Sequence, residues 1–96
     1  SSVADVFDSL RIWERKMFLD LHELIGINLS SETEYLLTKD FEDGVVDNKN
    51  ARILSDKDGN IVLAYVYANE NSIIITNSAN AVHEVALRLG SASKKQ

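Results

Sequence analysis

Ninety-six residues make one small domain, and 45% apolar with 26% charged residues is an ordinary globular balance, excluding wholesale disorder, a coiled-coil rod or a collagen-like fibre. The absence of cysteine removes disulfides, thiolate zinc sites and cysteine nucleophiles. Ten Lys and Arg against fifteen Asp and Glu give a net charge of −5, a poor basis for gripping a phosphate backbone. No apolar run approaches the roughly 18 residues of a membrane span and no basic-then-apolar leader opens the chain, so a soluble cytoplasmic protein without a membrane partner is expected.

Between Val3 and Ile25 apolar residues recur at Val3, Val6, Phe7, Leu10, Trp13, Met17, Phe18, Leu21, Leu24 and Ile25, the spacing of one wide helical stripe. A helix of that length spans roughly 35 Å, longer than the expected diameter of a domain this small. Gly26 is its natural stop, since glycine takes the left-handed conformation that ends a helix. Ser31 followed by Glu34 has capping-box spacing and predicts a second helix over Ser31 to Phe41, with Gly44 at its exit. Asp43 to Asn50 reads as a loop in which only Val45 and Val46 offer a short strand.

After Asn50 the period becomes two. Arg52 to Asp56, Ile61 to Ala68 and Ser72 to Thr76 predict a three-stranded antiparallel meander joined by turns at Asp58-Gly59 and Asn69-Glu70-Asn71. In the middle strand Ile61, Leu63, Tyr65 and Tyr67 are expected on one face and Val62, Ala64, Val66 and Ala68 on the other. Two apolar faces call for cover on both sides. Asn77 or Ser78 can cap a last helix over Ala79 to Leu89, with Gly90 as its stop. The predicted fold class is therefore α+β, a two-layer single domain in the order α-α-β-β-β-α over residues 1–90, followed by a flexible tail at 91–96.

Motifs for chemistry are sparse. Asp56-Lys57-Asp58-Gly59-Asn60-Ile61 has the oxygen-rich middle of a calcium loop, but Leu54 and Tyr65 stand where the terminal ligands are required, so no metal is expected. His22-Glu23 and His83-Glu84 are adjacent pairs that diverge on a helix, and neither extends to the zinc-binding His-Glu-x-x-His spacing. The acidic loop of Asp40, Glu42, Asp43 and Asp47 reads as solvated, and Gly26, Gly44, Gly59 and Gly90 lie too far apart to cradle phosphate. Neither a catalytic group nor a cofactor is expected. Residues 1–48 carry four basic against eleven acidic side chains, a surplus of −7 that suits a basic partner or simple solubility.

The long helix is rich in large apolar groups, and this points to a non-enzymatic protein–protein interaction or regulatory module, a homodimer or a subunit of a larger assembly. Its expected anchors are Phe7, Trp13, Met17 and Phe18 on the helix with Tyr65 and Tyr67 on the sheet. The same residues would equally fill the interior of a monomer. One alternative is nucleic-acid or nucleotide binding through Arg52, Lys57, Tyr65, Tyr67 and Arg88, which the charge balance disfavours; another is a small hydrolase using His83.

Overall fold

The computed structural model describes residues 3–69, 72–77 and 84–88. A helix α1 (Val3–Leu21) and a short 3₁₀ turn (Glu34–Leu37) precede five strands: β1 (Glu42–Val46), β2 (Lys49–Ser55), β3 (Ile61–Asn69), β4 (Ser72–Thr76) and β5 (Glu84–Arg88). The strands form one antiparallel sheet in the order β1-β2-β3-β4-β5. The class is α+β.

The stripe on α1 packs from Val6 to Leu21, while Leu24, expected to continue it, lies beyond the helix end and is exposed. Leu10, Met17 and Phe18 are buried against Leu54, Leu63, Tyr65, Ile73 and Ile75, with Val6, Phe7, Trp13 and Leu21 packed around them. Helical hydrogen bonding tapers through residues 22–26 and closes as a Schellman motif: Gly26, at φ +78°, donates to Glu23 O, and Ile27 donates to His22 O. The His22 ring seals the same turn by donating from Nδ1 to Ile27 O at 2.7 Å.

The expected second helix contracts to the four residues Glu34–Leu37. Ser31 and Glu34 do not form a capping box; instead Ser30 Oγ accepts from Glu32 N, and Thr33 Oγ1 accepts from Ser30 N while donating to Asn28 O. These local bonds satisfy the backbone in a turn and leave too short a run to propagate a helix. Leu36 and Phe41 nevertheless enter the core, and Tyr35 fastens the turn to the β2–β3 connection by accepting from Lys57 N at 3.0 Å.

Gly44 lies within β1 rather than at a helix exit. It pairs with Ala51, and a Cβ there would fall 2.6 Å from Ile53 Cδ1. Asp47 and Asn48 then reverse the chain at φ 52° and 63°, the paired positive values of a type I′ hairpin turn. The expected loop is thus a full strand and turn. Asp58-Gly59 turns as expected, with the Asp56 carboxylate accepting from Asp58 N and Asn60 N, both at 2.9 Å.

The three predicted strands correspond to β2, β3 and β4, but the predicted last helix is corrected: residues 84–88 form β5, paired in register with β4 from Ser72↔Arg88 to Thr76↔Glu84. Pairing satisfies the free edge of β4, which a helix could not do. The remainder of that helix and the tail at 91–96 lie outside the described residues. The alternation on β3 also breaks at its start. Leu54 pairs with Leu63 but Ser55 with Ile61, and this bulge moves Val62 into the core under α1 while Ile61 joins Val46, Ala51, Ile53 and Val66 in a second cluster. Among the described residues that second cluster is made of strand residues alone.

Candidate interaction surface

Of the six expected anchors, Met17, Phe18 and Tyr65 are buried in the core under α1. Phe7 and Tyr67 are half-buried and stack on one another, ring centroids 4.2 Å apart and 11° from parallel. Trp13 is half-buried too, its indole N–H donating to Asp20 Oδ2 at 2.6 Å. The large groups of the stripe therefore join helix to sheet.

A polar knot accompanies them. Arg52 on β2 donates from Nε and Nη2 to the two carboxylate oxygens of Glu14 on α1, at 2.8 and 2.9 Å, and from Nη1 to Asp43 Oδ1 on β1 at 2.9 Å. The Tyr65 hydroxyl on β3 donates to Glu14 Oε2. The Arg52 and Glu14 side chains keep only 12% and 11% of their exposure, while Asp43 keeps 88%. The hydrogen bond to Glu14 raises the Arg52 pKa further and holds it charged. Burial, then the Glu14 bond and charge, push the Tyr65 phenol well above its ordinary range. Burial, with the charge of Asp8, raises Tyr67 in the same direction. Each member is occupied by the others, so the knot ties one helix to three strands.

The groups named for other chemistries are placed as follows. Arg52 and Tyr65 are held in the knot, and Lys57 sits over the Tyr35 ring, its Nζ 5.6 Å from the centroid. His22 seals the end of α1, and His83 lies outside the described residues. Among the described residues no three His, Asp or Glu side chains gather as a metal site, and no helix is long and apolar enough to cross a membrane.

What remains on the surface is a set of apolar side chains outside the packed core, one of them, Leu24, expected on the stripe. Ile12 is 77% exposed and Val45 65%, with Leu19, Leu24 and Leu29 also exposed. Ile12 and Leu19 lie two turns apart on the solvent face of α1, with Arg15 and Lys16 between them. Sequence reasoning passed over them because they fall off the stripe. The available signal was an isoleucine and a leucine seven residues apart on an otherwise charged face. Beside Ile12 an open cleft separates α1 from residues 37–41, lined by Asp8, Arg11 and Arg15 on the helix and by Lys39, Asp40 and Phe41 opposite, with Glu14 and Arg52 in it.

No family model, no curated protein and no solved structure matches the chain significantly, so any assignment rests on its own residues.

Proposed function

We propose that the chain is a non-enzymatic protein–protein interaction module that acts as a homo-oligomer or as a subunit of a larger assembly. The observation that carries this reading is the exposure of large apolar side chains, foremost Ile12 and Val45, in a domain whose other large groups fill its interior. Exposed isoleucine and valine gain about 25 cal/mol for each Å² they bury, and Val45 stands on β1, a strand with no neighbour on its outer side among the described residues. The members of the Glu14, Arg52 and Tyr65 knot spend their hydrogen bonds on each other, so the knot serves the fold and the reading rests on the exposed apolar side chains.

Light scattering coupled to size exclusion tests the homo-oligomeric form. The expected native mass exceeds the 10.7 kDa of one chain at micromolar concentration. A mass of one chain throughout, up to several hundred micromolar, refutes it, because an interface of useful size associates well below that range.

A further inference from the structure

We draw no further inference here: the strongest candidate, the exposed Ile12 on the solvent face of α1 with the open cleft beside it, carries nothing, because the charges lining the cleft nearly cancel and nothing in the structure shows what covers that surface.

Discussion

Replacing Glu14 by Gln is the sharpest perturbation of the fold's polar knot. The side chain keeps its shape but loses its charge, and in either orientation its amide NH₂ faces an Arg52 N–H, donor against donor. Breaking a buried pair by neutralising one partner costs about 3–5 kcal/mol. Arg52 here keeps Asp43 and the Phe41 carbonyl, and the pair retains about a tenth of its exposure, so about 2–3 kcal/mol is the expected loss. A chain of this length has about 5–14 kcal/mol in total, so urea unfolding should show a large drop in midpoint, matched by a thermal shift of roughly 10–20 °C. Tyr65→Phe removes one hydrogen bond to a charged acceptor and should cost about 1.5 kcal/mol. In the double variant the two losses should be non-additive by about 1 kcal/mol, since both substitutions act on the same bond. A Glu14→Gln cost below about 0.5 kcal/mol, or strict additivity, refutes the knot as a tie between α1 and the sheet.

Two pH effects follow from the same bonds and from the β2–β3 turn. Folding raises the Tyr65 pKa, so the protonated phenol stabilises the fold fully below about pH 10 and that contribution fades as pH rises beyond it; urea midpoints should fall in alkali, less steeply in Tyr65→Phe, with Tyr67 supplying part of the remaining slope. Amides of Asn60 and Asp58 hold the Asp56 carboxyl below its ordinary range, so its contribution is present above about pH 4 and lost on acidification; Asp56→Ala should lower the neutral thermal midpoint and flatten the acid limb, and an unchanged midpoint contradicts the turn's hydrogen bonding.

The elements that follow one strong local rule were readable from sequence. α1 and its Gly26 stop follow from a 3.6-residue period and a left-handed glycine, and β2, β3 and β4 from β-branched runs between turn residues. The misreadings share a cause, a local pattern that two structures satisfy. Glu84-Val85-Ala86-Leu87-Arg88 fits a helical stripe and a period of two equally well, and the free edge of β4 decides for the strand. Glu42-Asp43-Gly44 has a loop's composition, yet the positive φ of Asp47 and Asn48 closes a hairpin that recruits it. The displacement of Ile61 depends on a bulge that no single-strand pattern encodes. The partner of Glu14 lies 38 residues away on β2, beyond the reach of motif spacing, whereas the exposed Ile12 and Leu19 could have been found by asking which apolar residues the stripe leaves out.

The proposed role stands most directly on whether the exposed apolar surface associates. Sedimentation equilibrium of the wild type and of Ile12→Glu, a substitution at a position that is 77% exposed and outside the core, puts that question to the folded protein. Association through this surface predicts a wild-type mass that climbs with concentration towards twice 10.7 kDa, and an Ile12→Glu mass that stays near one chain with unchanged circular dichroism. A wild type that remains at one chain mass throughout, or an Ile12→Glu protein that assembles as the wild type does, contradicts the account.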